Sequence, residues 1–181
     1  MLKTVHFSKL IVLTTLLTTI VFSSCKKSSS AGSSTTVGKS SIQFSTNKSF
    51  GGKTEFKSNS AIGGIANRVN SSNRTQITIT AIQTNGTQIG TSQLVLHTPL
   101  NHTGAISGKF ENSSSANTGA VLAISISNAG ANAEAYASQT GNFSITKLTD
   151  TEIEGTFDAY CINETTNTNI TLSNGKFSGK F

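Results

Sequence analysis

The chain has 181 residues, one proline, no tryptophan and 12% charged residues, against about a quarter in an average globular domain. One domain fits that length once a leader and a linker are removed, and the abundance of Ser, Thr and Asn disfavours helix because their side chains compete for backbone hydrogen bonds. The net charge of +6 points away from a nucleic-acid surface once it is dissected. Lys3, Lys9, Lys26, Lys27 and Lys39 stand before residue 40 with no acid, leaving nine basic residues against eight acids in the remainder.

Lys3 and Lys9 precede the apolar run Leu10–Phe22, the length of a signal-peptide core and short of the roughly 20 residues that span a bilayer. Ser23-Ser24-Cys25 closes the run with small residues and a thiol. This resembles the bacterial lipobox, although Phe22 stands where Leu, Val or Ile is usual. The resemblance implies a diacylglycerol thioether on Cys25, acyl chains such as palmitate, and cleavage after Ser24. Residues 1–24 are then a lipoprotein signal peptide.

Residues 25–39 read as the lipidated cysteine and a Ser/Lys-rich tether with no apolar periodicity. About 14 extended residues reach on the order of 45 Å at roughly 3.3 Å each. Lys26, where many inner-membrane lipoproteins carry Asp, implies by resemblance the outer membrane. No acidic run follows the cysteine, so periplasmic and surface orientations both stay open. With Cys25 acylated, Cys161 has no partner, and the domain has to be held by packing rather than by a disulfide.

Residues 40–181 read as one all-β domain of about ten short strands. Ser41–Phe44 and Lys53–Lys57 are the first candidates. Thr75–Gln83 alternates, with Ile77, Ile79 and Ala81 on one face, and Asn85-Gly86 predicts a two-residue hairpin into Gln88–His97. That turn would set Ile77 opposite Leu94 and Ile82 opposite Ile89. Ala105–Phe110, Ala120–Ser127, Glu134–Ser138 and Gly141–Leu148 follow. A short helix over Ala129–Ala137 is disfavoured by Gly130 and the missing cap. In Glu152–Cys161 the residues Ile153, Gly155, Phe157, Ala159 and Cys161 share one face, and Glu152, Glu154, Thr156, Asp158 and Tyr160 share the other. Asn174-Gly175 predicts a last hairpin, Thr168–Leu172 against Lys176–Phe181, with Leu172 facing Phe177 and Lys176 and Lys180 guarding a sheet edge. Turn signals every 8–12 residues indicate an antiparallel β-sandwich or a small β-barrel.

The segments Phe143-Ser-Ile-Thr-Lys-Leu148, Ile153-Glu-Gly-Thr-Phe157 and Thr171-Leu-Ser-Asn-Gly-Lys-Phe177 resemble the C-terminal signature of a family of small Bacteroidetes lipoproteins of unknown function. The resemblance implies architecture and location, and no activity.

Candidate sites are few. His97 and His102 lack the spacing of a metal pair and are expected in a solvated loop around Thr98-Pro99. Glu152, Glu154 and Asp158 offer paired carboxylates of the kind a glycosidase or a calcium site uses, but the outer face of an antiparallel strand is ordinarily charged. Cys161 shares its parity with apolar residues and is expected to be an inert core thiol. Gly63-Gly64 begins no phosphate loop, the sequons at Asn73 and Asn169 follow from composition, and Phe181 ends strands too polar for a lipid-facing barrel. No catalytic, cofactor or metal residue is therefore assigned, and Cys25 is the one site.

The expectation is a non-catalytic outer-membrane lipoprotein, a binding or structural module. Its partner is the membrane through its anchor and an envelope glycan, lipid or protein. The alternatives are a carrier of a small hydrophobic ligand in a calycin-like barrel, and a glycan hydrolase on the acidic face.

Overall fold

The computed structural model describes residues 36–50, 52–59, 63–110, 118–128 and 133–181. Cys25, the leader and the start of the tether lie outside the described residues. Ser33–Phe181 forms one compact unit. Its strands are β1 (Thr36–Phe50), β2 (Lys53–Lys57), β3 (Gly64–Asn70), β4 (Arg74–Asn85), β5 (Gln88–Pro99), β6 (Ile106–Lys109), β7 (Gly119–Asn128), β8 (Glu134–Leu148), β9 (Glu152–Asn163) and β10 (Thr168–Lys180).

Eight of them close into an antiparallel barrel in the order β1-β3-β4-β5-β7-β8-β9-β10, with β10 returning to β1. Ser40–Thr46 pairs with Leu172–Gly179 at that seam. Closure removes most of the unpaired edge that an open sheet would present. It also decides between the two architectures expected from sequence, in favour of the barrel.

The other two strands complete broken lanes. β1 gives residues 36–40 of one edge to β3 and residues 43–45 of the same edge to β2. Beyond β2, Asn59 exchanges hydrogen bonds with Thr84, so the interrupted lane reaches β4. β8 likewise pairs β7 through 134–137 and β6 through 142–145, while β9 runs along its other edge. The two 15-residue strands, β1 and β8, are long because each serves two partners in sequence.

Alternation along each strand divides lumen from solvent. On β9, Ile153, Gly155, Phe157, Ala159 and Cys161 are buried and Glu154, Thr156, Asp158 and Tyr160 exposed, as the parity predicts. Ile77, Ile79, Ala81, Leu94, Leu96 and Leu122 from β4, β5 and β7 are wholly buried on the opposite wall. Between the walls lies a phenylalanine cluster: Phe44 stacks on Phe56 at 4.9 Å, and Phe157 makes edge contacts with Phe44 and Phe110 at 6.0 and 6.2 Å. Such pairs add about 0.5–1.5 kcal/mol each to plain area burial.

Several local expectations change. Residues 168–180 are one strand and no hairpin: β10 follows β9 throughout, with a register shift between Leu172 and Gly175. Only Asn174 has positive φ, at 54°, whereas a type I′ turn needs it at both central residues. Asn174-Gly175 is therefore a bulge. Lys176 guards no edge, because it is paired on both sides, with Thr156 and Gln43, and Lys180 pairs with Glu152 of β9.

The β4–β5 turn sits one residue later than predicted. Asn85 pairs with Gln88, Ile77 with Leu96 and Ile79 with Leu94. Gly86 alone carries the positive φ, at 58°, the pattern of a type II′ turn with Gly in its first central place. The pairing slides by two, so every side chain keeps its face. β3 was not foreseen, and β8 joins two segments predicted apart. In β8 a bulge between Ser138 and Thr140 absorbs the irregularity, with the Ser138 hydroxyl accepting the Leu122 amide at 2.9 Å.

Each mouth is bridged across the lumen. At the end where β1 begins, Arg68 of β3 reaches the β8–β9 turn, donating to the Thr149 carbonyl at 3.0 Å and Asp150 at 3.2 Å, with its guanidinium over Phe181. At the far end Lys48 of β1 pairs with Glu134 of β8 at 2.6 Å, and Tyr136 donates to the same carboxylate at 2.7 Å.

Candidate functional site

Adjacent outward positions on β6, β8, β9, β10 and β1 form one cross-strand row. Ser107 faces Ser144, Ser144 faces Thr156, Thr156 faces Lys176, and Lys176 faces Gln43. Register shifts lie close to this row in β1, β8 and β10. Bulges bend and twist a strand locally, and several close together crease a sheet. The crease holds two surface grooves of about 450 and 520 Å³ that share Thr156 and Lys176.

Glu154, Thr146, Ser178 and Ser41 line one side of the row. Asn142, Asp158 and Asn174 line the other. The Ser107 hydroxyl donates to Ser144 at 3.0 Å, Asn142 to Asp158 at 3.4 Å, and the Thr146 hydroxyl to the Glu154 carbonyl at 3.2 Å. Beneath the row, glycines lie against rings. A Cβ on Gly108 would meet Phe143, one on Gly155 would meet Phe177, and one on Gly175 would meet Phe157. The floor is thus backbone on an aromatic bed, which leaves it stiff.

The carboxylates singled out in the sequence separate into different surroundings. Glu152 forms an ion pair with Lys147 at 2.7 Å, which holds its carboxyl below the ordinary range. Glu154 and Asp158 are both exposed and belong to different grooves. Four residues of strand put them roughly 13 Å apart along the backbone, beyond the roughly 5–9.5 Å of glycosidase pairs.

The histidines are not both in a solvated loop. His97 belongs to β5, is 5% exposed, and faces Gln76 across 3.4 Å. Burial, followed by the nearby Arg74 charge, lowers its pKa. The reason is that β5 extends to Pro99, further than the turn signal suggested. His102 lies in the β5–β6 connection, where its amide donates to Pro99. Among the described residues no three His, Cys, Asp or Glu side chains come together where they could hold a metal ion. Cys161 is fully buried, and burial pushes its thiol up to about 12, far from the thiolate a nucleophile needs.

Sequence reasoning missed the row itself. Its members are spread from residue 43 to residue 176, and no spacing along the chain relates them; only register does. No family model matches the chain, and no curated protein and no solved structure matches it.

Proposed function

We propose that this chain is a lipid-anchored, non-catalytic binding module of the bacterial outer membrane, held by Cys25 and presenting the β8–β9–β10–β1 wall to an envelope partner. One observation carries the binding reading: two adjoining grooves that share Thr156 and Lys176, lined largely by polar side chains, lie on the outside of the barrel, while ring and aliphatic side chains fill the inside. The anchor reading rests on Leu10–Cys25 and on the Ser/Lys-rich segment after it, whose last four residues, 36–39, belong to β1 and pair with β3 rather than forming a tether. The motifs from Phe143 to Phe177 support membership of the small Bacteroidetes lipoprotein family.

The test takes wild type and Cys25→Ser expressed in a Bacteroidetes host. Acyl mass and detergent partitioning of wild type alone support the anchor; soluble, unacylated behaviour of both refutes it. Co-sedimentation with isolated envelopes, compared between wild type and Thr156→Trp, tests the groove. Equal sedimentation of the two, or none by either, refutes a binding role for this wall.

A second reading, a calycin-like carrier, draws on the closed eight-stranded ring and on Ser92. Ser92 is 0% exposed on the lumen side of β5, and its hydroxyl has no hydrogen-bond partner among the described residues, as a residue meant for a ligand would be. Native mass spectrometry of freshly purified protein tests this: a retained apolar molecule supports it, and apo mass alone refutes it.

A further inference from the structure

We infer that the end of the barrel where β1 begins rests on the bilayer, with Leu100 immersed at the boundary of headgroups and acyl chains. The inference rests on the Cys25 anchor reading and adds which face of the domain meets the membrane.

Reach along the chain is the first reason. Thr36 lies at the same end as the β3–β4 turn, the β5–β6 connection and the β8–β9 turn. Eleven steps of chain separate Cys25 from Thr36. Fully extended they reach about 36 Å at roughly 3.3 Å each, and relaxed about 18 Å. The 12 residues of β9, at about 3.3 Å each and a tilt of about 40°, make a wall roughly 30 Å tall. Seating the opposite end on the bilayer would draw the tether nearly taut along the barrel. The near end needs no stretching.

The β5–β6 connection is the second reason. A single exposed leucine is ordinary on a protein surface; the setting of Leu100 is not. The His102 amide donates to the Pro99 carbonyl at 3.1 Å, and Asn101 has φ 58° where a type II turn demands a positive value. Leu100, 41% exposed, stands at the corner of that turn. The turn is pinned to its neighbours. The Asn101 amide donates to the Thr75 hydroxyl at 3.1 Å, and the Asn70 side chain donates to Asn101 Oδ1 at 3.0 Å. Gly104 donates its amide to the Leu148 carbonyl at 2.8 Å. No charged residue stands between Pro99 and Ile106. An apolar corner already held in place loses little freedom on entering lipid, and its loop carries no charge to desolvate.

Among the described residues, the charged side chains at this end are Lys39, Arg68, Arg74, Lys147 and Lys180 against Asp150 and Glu152. The positive excess suits anionic headgroups around the contact. End-on seating also turns the β8–β9–β10–β1 wall sideways, clear of the bilayer.

The chain has no tryptophan, so Leu100→Trp and, beside the opposite turn, Ile89→Trp each place a single reporter. Each acylated full-length variant is reconstituted in phosphatidylethanolamine/phosphatidylglycerol vesicles carrying brominated acyl chains. The tryptophan at 100 should emit to the blue and be quenched several-fold more strongly than the one at 89. Wild type on unbrominated vesicles should exchange its amides at 100–105 several-fold more slowly than Cys25→Ser in solution, with 86–87 unchanged. That measurement keeps the native leucine and stands even if Leu100→Trp misfolds. Acylated, floating protein whose loop exchange is unchanged and whose position 100 stays solvent-like overturns the docking and leaves the anchor standing. Stronger quenching at 89 than at 100 overturns it as well. Protein that carries no acyl mass and does not float removes the anchor reading and this inference together.

Discussion

Gly155 on β9 and Phe177 on β10 face each other across the ladder, and the Phe177 ring occupies the space that a side chain at 155 would take. Two residues along, the arrangement is exchanged: Phe157 faces Gly175, where a Cβ would lie 2.5 Å from the Phe157 carbonyl oxygen and 2.7 Å from its ring. The repeated Gly-x-Phe spacing is thus a reciprocal lock, each ring covering the other strand's glycine. Thr156 and Lys176 stand between the two locks on the outer face.

Breaking the lock should be costly from either side. Phe177→Ala empties a buried ring site and should lower stability by about 3–5 kcal/mol. Gly155→Ala adds only a methyl group but sets it against backbone and ring, with an expected loss of about 1–3 kcal/mol. Urea titration followed by far-ultraviolet circular dichroism measures both. A neutral Gly155→Ala would show that the glycine is not required by packing.

The Lys48–Glu134 bridge predicts a flat region in the pH profile. Hydrogen bonds from Lys48 and Tyr136 lower the Glu134 pKa from 4.5, so its contribution is present above that value and lost as pH falls through the lower folded value. Hydrogen bonding to Glu134 and Tyr136 raises Lys48 from 10.5, so its contribution is present below 10.5 and lost as pH rises through the higher folded value. Both groups are partly exposed, and the effect should be small and weakened by salt. Glu134→Gln should flatten the acid limb of the melting-temperature profile; an unchanged limb would exclude the bridge from it.

Cys161 should resist thiol reagents in the native state. At pH 8, Ellman's reagent should react at the rate of unfolding and in full once denaturant is added. Its folded pKa of about 12 lies above the unfolded 9.0, so stability from this group is intact below pH 9 and falls as pH rises between the two, by about 1.4 kcal/mol per unit at most. Cys161→Ala should remove that alkaline slope. Rapid labelling of native protein would mean that the thiol is accessible.

Arg68 should matter more than a surface arginine. Arg68→Met keeps the stem and removes the donors, leaving the Thr149 carbonyl without its guanidinium partner. A loss of about 1–3 kcal/mol is expected, with faster amide exchange at Gly104 and Thr149 in the neighbouring connections. Exchange rates equal to wild type would place the barrel end under other control.

What could be read without coordinates was whatever depends on neighbours in sequence. Period-two alternation assigned the faces of β4 and β9, and even a register error of two between β4 and β5 left those faces unchanged, because the side-chain period is itself two. β3 escaped because Gly64-Ile-Ala-Asn-Arg-Val-Asn70 carries Arg68 on the lumen side, where its guanidinium exits at the mouth, and this blurs the alternation. Asn174-Gly175 misled for a related reason. The dipeptide favours positive φ, but whether that makes a turn or a bulge depends on what lies opposite, and here it is Phe157.

The sequence by itself determined the all-β class, the inward and outward faces of β4 and β9, and the burial of Cys161. All of these follow from local chemistry. Only the tertiary structure decided that the sheet closes, that β10 runs unbroken, and that Gln43, Lys176, Thr156, Ser144 and Ser107 share one cross-strand row. Closure joins Thr46 to Leu172, and the row joins five strands. Such contacts arise from register between distant segments, and the pleat repeats every two residues, so no single strand specifies its partner.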